Sequence, residues 1–306
     1  MRLVFAGTPA AAVPSLRRLA ASDHEIAAVV TRPDAPLGRR RVLTPSPVAV
    51  AAGELGLPVI HASRLDVSAT ERIAALQPDL GVIVAYGGLV REPLLSAPAH
   101  GWINLHFSLL PRWRGAAPVQ HALIAGDRET GAAVFRLVPE LDAGDVFDEV
   151  RYALPPAANA GDVLDALAHR GAYLLESVVE AIAAGTAVAR PQAGEPTFAP
   201  KLTVEDGRLR WDEPADAVLA RVRGTTPEPG AFTTVGGLRV KVLDAHRADR
   251  ELALPAGRIA AVGREVLVGT ATDPIEIVSV QPAGKAAMAA ADWWRGVRVE
   301  DPVAGS

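Results

Sequence analysis

The chain has 306 residues, of which 49% are hydrophobic and 22% are charged, and this balance is typical of a folded globular protein of about two domains. With 31 basic and 35 acidic residues the formal net charge is -4, which excludes a chain that is basic overall, so nucleic acid would have to bind to local basic patches. The absence of cysteine excludes disulfides, thiolate nucleophiles and cysteine metal sites, and it fits the reducing cytoplasm, where we expect the protein to work.

In the first half of the chain, short apolar runs alternate with segments of helical period. The runs with β-strand character are RLVFAG at 2–7, EIAAVVT at 25–31, PVIHA at 58–62, LGVIVAYG at 80–87 and WINLHF at 102–107. This alternation predicts an α/β fold with a Rossmann-like parallel sheet, in which ligands bind beyond the carboxyl ends of the strands.

The amino terminus and the rest of the chain give no sign of a membrane protein. The opening run resembles a secretory leader, but Gly7, Thr8 and Pro9 interrupt it early, so a strand, a turn and a helix explain it better. No apolar run is long enough for a membrane span, and we expect no membrane partner.

The second half changes character after a long helical pattern at 161–185. The segment that follows contains Pro191, Pro196 and Pro200, and beyond it short strand patterns are separated by turns. We predict a catalytic domain at 1–189, a linker at 190–207 and a small OB-like β-barrel at 208–306.

Two polar side chains share one face of the predicted strand WINLHF. Asn104 and His106 are two residues apart, so both emerge on the same side of the strand. An amide donor beside an imidazole can stabilise an oxyanion and move a proton. On the strand alone, the alternative that these residues merely satisfy loop backbone is the commoner one.

A carboxylate on a later turn bears on this choice. Asp142 lies in LDAGD, a turn between extended segments. An aspartate in such a turn usually serves only to stabilise the turn, but beside His106 it would orient the imidazole and balance its charge.

The seven histidines show no close ligand spacing, so we expect no metal site. The turn after the first strand is not a GxGxxG fingerprint, and no Walker motif occurs, which argues against a nucleotide cofactor.

The segment NLHFSLLPRWRGAAP at 104–118, followed by LDAGD, resembles the catalytic signature of the folate-dependent formyltransferases. Further segments extend the resemblance over nearly the whole chain, in particular to members that act on methionyl-tRNA: FAGTP at 5–9, TRPDAPLGRRRVLTPSPV at 31–48, PDLGVIVAYG at 78–87, FAPKLTVEDG at 198–207 and VQPAGKAAM at 280–288. The family's catalytic Asn, His and Asp correspond to Asn104, His106 and Asp142. Phe107 stands where many relatives have glycine.

The resemblance implies transfer of formyl from 10-formyltetrahydrofolate to the α-amino group of methionine esterified to initiator tRNA, by a protein that we expect to be a monomer. Asn104 and protonated His106 would stabilise the oxyanion, and Asp142 would hold His106 and help to move the proton. We assign the folate co-substrate to the loops after two strands: Val84, Ala85, Tyr86, Gly87, Ser108, Leu109, Leu110 and Pro111.

Basic residues in three places are the candidates for contact with tRNA. The loop from Pro33 to Pro47 is expected to lack regular structure and carries three consecutive arginines, which on charge alone are as easily a solvated run. In LRVKVL, two cations share one face opposite Leu238, Val240 and Val242, and a solvated sheet face is the alternative there. The candidates are Arg39, Arg40, Arg41, Arg112, Arg114, Arg239 and Lys241.

Two other functions compete with this one. A formyltransferase that acts on an amino sugar or a small nucleotide would share the three catalytic residues, but it would need neither the arginine loop nor the second domain. A tRNA-binding or folate-binding module without turnover would have no use for Asn104, His106 and Asp142 together.

Overall fold

The computed structural model describes residues 1–37, 41–250, 252–299 and 302–305, without the side chain of Leu37. The chain forms two compact units. The first consists of Met1–Pro118, Glu129–Ala153 and Leu164–Ala199, and the second of Val119–Arg128, Leu154–Val163 and Pro200–Ser306. The boundaries predicted from the sequence, at 189 and 207, stay a prediction.

The first unit is built on a seven-stranded sheet in the order β5-β2-β1-β6-β7-β8-β9, and a separate hairpin pairs β3 with β4. The first five strands of the sheet are parallel, whereas β8 and β9 are antiparallel to their neighbours. The strands are β1 (Arg2–Gly7), β2 (Glu25–Thr31), β3 (Ala35–Leu37), β4 (Val42–Thr44), β5 (Val59–His61), β6 (Leu80–Val84), β7 (Trp102–His106), β8 (Glu129–Arg136) and β9 (Val146–Ala153).

Five helices follow or separate these strands along the chain: α1 (Val13–Ala20), α2 (Pro47–Glu54), α3 (Val67–Ala74), α4 (Pro118–Ile124) and α5 (Ala160–Ala183). Nearly all of α4 and the first turn of α5 belong to the second unit. The side chains of Ser46 and Asp66 cap α2 and α3 by accepting backbone N–H groups. Helix α5 crosses the sheet closely at Gly171, where a Cβ atom would lie 2.9 Å from the Leu105 side chain. Apart from the exposed Arg2, the central strands β1 and β6 are buried, as expected for a parallel sheet covered on both faces.

The second unit contains a short 3-10 turn at Glu205–Gly207 and an antiparallel sheet in the order β10-β11-β14-β13-β12, with β15 beside β14. Its elements are α6 (Ala215–Thr225), β10 (Phe232–Val235), β11 (Leu238–Arg247), β12 (Ile259–Val262), β13 (Glu265–Val268), β14 (Ile275–Pro282), β15 (Met288–Ala289) and α7 (Ala290–Trp294). Valines and isoleucines of the strands pack against α6 to form its core. The predicted fold class, a Rossmann-like domain followed by a small β domain, is confirmed.

The loop from Pro33 to Pro47 differs from the expectation of irregular backbone. Strands β3 and β4 form an antiparallel hairpin in which Ala35 lies opposite Thr44. Backbone pairing overrides the proline content because Pro36 lies on an edge strand, where a missing N–H is tolerated. No helix among the described residues is long and apolar enough to cross a membrane.

Candidate active site

Strand β7 brings two of the predicted residues to the carboxyl edge of the sheet. It lies between β6, to which it is parallel, and β8, to which it is antiparallel, and Asn104 is opposite Ile83 on one side and Phe135 on the other. His106 is the last residue of the strand. The Oδ1 atom of Asn104 is buried and has no hydrogen-bond partner. A buried amide oxygen without a donor is costly, so this atom suits a ligand that brings an N–H or O–H group to it.

The imidazole of His106 is held from one side by the backbone. Its side chain is 6% exposed, and Nε2 lies 2.8 Å from the carbonyl oxygen of Trp113. Because a carbonyl oxygen can only accept, Nε2 carries the proton and Nδ1 is the basic nitrogen of the neutral ring. The ring also packs edge-on against Phe135, with 6.3 Å between the ring centres.

Asp142 lies on the other side of the imidazole, with 3.8 Å between its Oδ2 and the Nδ1 of His106. The same Oδ2 accepts the N–H of Gly115 at 2.8 Å. Asp142 has a φ of 46°, a conformation that is strained for a residue with a side chain. Gly144 lies two residues later, at a position where a Cβ atom would be 1.8 Å from the Arg136 carbonyl oxygen. The turn LDAGD thus places the carboxylate of Asp142 beside His106.

The surroundings of His106 act on its protonation in opposite directions. Burial lowers the pKa of His106 from its ordinary value of 6.5, whereas the carboxylate of Asp142 and the carbonyl of Trp113 favour the charged ring and oppose that fall. The imidazole of the free protein is therefore neutral at pH 7. It can accept a proton at Nδ1, where Asp142 would stabilise the resulting charge.

The loop after β7 is fixed by its own side chains and by residues 197–199. Ser108 is fully buried, and its hydroxyl donates to the carbonyl oxygen of Arg112 at 2.6 Å. Thr197 accepts the N–H of Trp113 at its hydroxyl. Gly115 has a φ of 126°, and a Cβ there would lie 2.6 Å from the carbonyl oxygen of Ala199. The irregular loop is therefore an ordered wall of the site.

Gln192 joins the loop to the turn of Asp142, and it was not among the predicted site residues. Its Nε2 donates to the carbonyl oxygens of Asp142 and Gly144, each at 2.8 Å, and its Oε1 accepts from Nε and Nη2 of Arg114. A single glutamine in a proline-rich segment has no period or motif that could have marked it.

Most of the residues predicted to contact folate lie at the ends of β6 and β7. The side chain of Tyr86 points into the core, where its hydroxyl donates to the Ala62 carbonyl oxygen at 2.7 Å and burial raises its pKa. Ala85 and Gly87 are exposed, both with positive φ. The remaining predicted residues, buried apart from the half-buried Leu109, are Val84, Ser108, Leu109, Leu110 and Pro111. The contacts of these residues with folate stay predictions.

The predicted RNA contacts of the first unit have different surroundings. Arg39 and Arg40 lie outside the described residues, and Arg41 is exposed. Arg112 is exposed, with its guanidinium 5.3 Å from the centre of the Trp113 ring.

The predicted RNA contacts of the second unit lie on β11. The guanidinium of Arg239 stacks on Phe232 at 3.7 Å, and Lys241 is opposite Phe232 in the sheet. Val240 is buried as predicted, but Leu238, expected on the same covered face, is 69% exposed because it adjoins the hairpin turn.

Among the described residues, no cluster of three or more His, Asp or Glu side chains could hold a metal ion.

Comparison with protein families and curated sequences matches both units of the chain. Residues 1–179 match the family described as formyl transferase, and residues 201–298 match the formyl transferase C-terminal domain. The methionyl-tRNA formyltransferase of Clavibacter sepedonicus is 63% identical over 304 residues, which cover 99% of this chain and 100% of the relative.

Solved structures share the fold at low sequence identity. An N-formyltransferase from Helicobacter canadensis, in complex with folinic acid and dTDP-3-aminofucose, superposes with a TM-score of 0.70 at 14% identity over 92% of this chain and 98% of that one. A variant of HypX from Aquifex aeolicus gives 0.67 at 19% identity over 98% of this chain, which spans only 49% of that protein. From its sequence over both units, the chain belongs to the formyltransferase family.

Proposed function

We propose that the protein transfers the formyl group of 10-formyltetrahydrofolate to the α-amino group of methionyl-tRNA, which yields formylmethionyl-tRNA for the initiation of translation. The observation that supports this acceptor is the 63% identity, over the full length of both chains, to a methionyl-tRNA formyltransferase. The likeness to an amino-sugar enzyme is one of fold only, at 14% identity.

The three residues at the edge of β7 suit the chemistry of this transfer. The neutral amine attacks the formyl carbon, the carbonyl oxygen becomes an oxyanion, and the bond to N10 of the folate breaks. The Asn104 amide donates to the oxyanion. His106 accepts the proton of the amine at Nδ1, and as an imidazolium it stabilises the oxyanion and supplies the proton with which N10 leaves.

Asp142 supports the charged form of His106. With Oδ2 at 3.8 Å from Nδ1, it lies too far for a good direct hydrogen bond and close enough to stabilise the imidazolium. Its second contact, with the Gly115 N–H, keeps the carboxylate in place while the ring changes charge.

The co-substrate and the tRNA have separate candidate surfaces. The folate lies against the ends of β6 and β7, at residues 84–87 and 108–111, which places its formyl group beside Asn104. The run Arg39–Arg41, Arg112 and Arg114 hold phosphates of the acceptor arm, while Arg239 and Lys241 contact phosphates from the second unit. We place the activity in the cytoplasm, where initiator tRNA is charged, and we expect a monomer.

An absorbance assay of the folate donor tests this function. The purified protein is mixed with 10-formyltetrahydrofolate and either charged initiator tRNA, uncharged initiator tRNA or an amino-sugar nucleotide. We expect turnover only with charged initiator tRNA. Turnover with the sugar nucleotide alone would replace the proposed acceptor, and tight folate binding without turnover on any acceptor would favour a binding module.

A further inference from the structure

The amide of Gln192 lies between the loop after β7 and the turn that carries Asp142. Its Nε2 bridges the carbonyl oxygens of Asp142 and Gly144, both at 2.8 Å. Its Oε1 accepts two N–H groups of Arg114, at 3.1 Å from Nε and 2.6 Å from Nη2. One side chain therefore makes four hydrogen bonds and joins the two segments.

The chemistry of the partners fixes the orientation of this amide. Arginine has donors and no acceptor, and the two carbonyl oxygens are acceptors only, so Oε1 must face Arg114 and Nε2 must face the turn. Glutamate at this position would keep the pair with Arg114, but it would set a carboxylate oxygen against two carbonyl oxygens. Only an amide satisfies both sides.

The turn needs support because its backbone is strained. Asp142 adopts a φ of 46°, in the left-handed region, which costs most residues with a side chain about 1 to 2 kcal/mol and an aspartate somewhat less. The turn is bracketed on one side by the Gly115 N–H, which holds the carboxylate, and on the other by Gln192, which holds the main chain. The backbone of Gln192 is itself anchored two residues earlier, where Arg190 and Val146 exchange hydrogen bonds of 2.8 and 2.9 Å.

We infer that Gln192 is a positioning residue for formyl transfer: its amide holds the strained turn so that the Asp142 carboxylate stays beside His106. The inference rests on the proposed function, in which Asp142 stabilises the imidazolium. Arg114 then contributes to the same arrangement, because its guanidinium orients the Gln192 amide, which in turn holds the turn of Asp142.

Two variants separate this task from packing. Gln192→Glu keeps the pair with Arg114 and removes the donors to the turn, while Gln192→Met keeps the volume and removes every hydrogen bond. We expect both to lower kcat by about 10- to 100-fold, with little change in KM for the folate or the tRNA, because a displacement of about 1 Å costs that much. Gln77→Glu is the matched control, since Gln77 is exposed in the same unit and precedes β6.

The pH profile gives a readout that a purely structural role would not move. In Gln192→Met the acid limb of kcat/KM should bend at lower pH than in the wild type, since a displaced Asp142 no longer raises the pKa of His106. This variant is used for the profile because it introduces no charge. An unshifted limb together with a wild-type kcat would overturn the inference.

A double-mutant cycle with Asp142→Asn closes the test. If Gln192 acts through Asp142, Gln192→Met, which adds no charge, should lower kcat by less than about threefold in the Asp142→Asn background. Equal losses in both backgrounds would overturn the positioning role. Failure of the proposed function is recognised separately, because the wild type itself would then fail to formylate methionyl-tRNA.

Discussion

The replacement Asp142→Asn removes a charge from the candidate active site and leaves its shape almost unchanged. The two side chains are nearly equal in size, and an asparagine Oδ1 can still accept the Gly115 N–H that Asp142 accepts at 2.8 Å. What is lost is the attraction between a carboxylate and the imidazolium that forms when His106 accepts the proton of the amine. The variant therefore isolates electrostatics from geometry.

The separation of the two groups sets the magnitude. At 3.8 Å and an effective dielectric constant of about 20, Coulomb's law gives about 4 kcal/mol between unit charges. Because the charge on His106 is only partly developed in the transition state, we expect kcat to fall by about 100- to 1000-fold. The pKa of His106, already lowered by burial, should fall further once the opposing charge is removed.

The assay measures the rate of formyl transfer to charged initiator tRNA from the change in absorbance of the folate donor, at pH values between 5 and 9. A neutral His106 is required to accept the proton, so the acid limb of kcat/KM reports its pKa, and this limb should lie below pH 6.5 in the wild type and still lower in the variant. A variant with kcat within threefold of the wild type and an unmoved limb would refute the role given to Asp142. Circular dichroism of both proteins checks the fold.

Three further predictions address other parts of the molecule. His106→Ala and Asn104→Ala should each lower kcat by about 100- to 1000-fold with the fold intact, and near wild-type turnover at saturating substrates would remove that residue from the mechanism. Alanine at all three positions of Arg39–Arg41 should raise KM for methionyl-tRNA and reduce its salt dependence by about one unit of slope per lost phosphate contact, with folate KM preserved; an equal slope would make the run merely solvated. Gly115→Ala, whose Cβ would meet a carbonyl oxygen at 2.6 Å, should lower the unfolding free energy by about 1 to 3 kcal/mol more than Gly126→Ala, which has a positive φ and open space. If urea denaturation shows the same loss of unfolding free energy for both variants, the backbone near Gly115 can move to accommodate the added methyl group.

The sheet of the first unit could be predicted from the sequence because buried parallel strands are nearly continuous apolar runs. RLVFAG and EIAAVVT coincide with β1 and β2 residue for residue. The long helical pattern at 161–185 matches the helix Ala160–Ala183 to within two residues at each end. The hairpin of β3 and β4 was not predicted, since two three-residue strands leave too short a pattern to recognise.

The candidate site was predictable only where its residues lie in a strand or in a family motif. Alternation in WINLH placed Asn104 and His106 on one face, and LDAGD marked Asp142. Gln192 and Thr197 could not be found, because they lie about 80 residues from the loop that they hold and their role depends on which carbonyl oxygens and N–H groups the fold brings to them. The hydrogen bond from His106 to the Trp113 carbonyl oxygen could not be predicted either, because it too depends on which backbone group the fold brings to the side chain.

The most direct test of the account is to identify the product. The protein is incubated with 10-formyltetrahydrofolate carrying an isotopic label in the formyl group and with methionyl-tRNA, and the aminoacyl ester is then hydrolysed and examined by mass spectrometry. The account predicts N-formylmethionine that carries the label, formed by the wild type and strongly reduced in His106→Ala. Unlabelled methionine after many equivalents of donor have been offered, or label attached elsewhere on the tRNA, would contradict it.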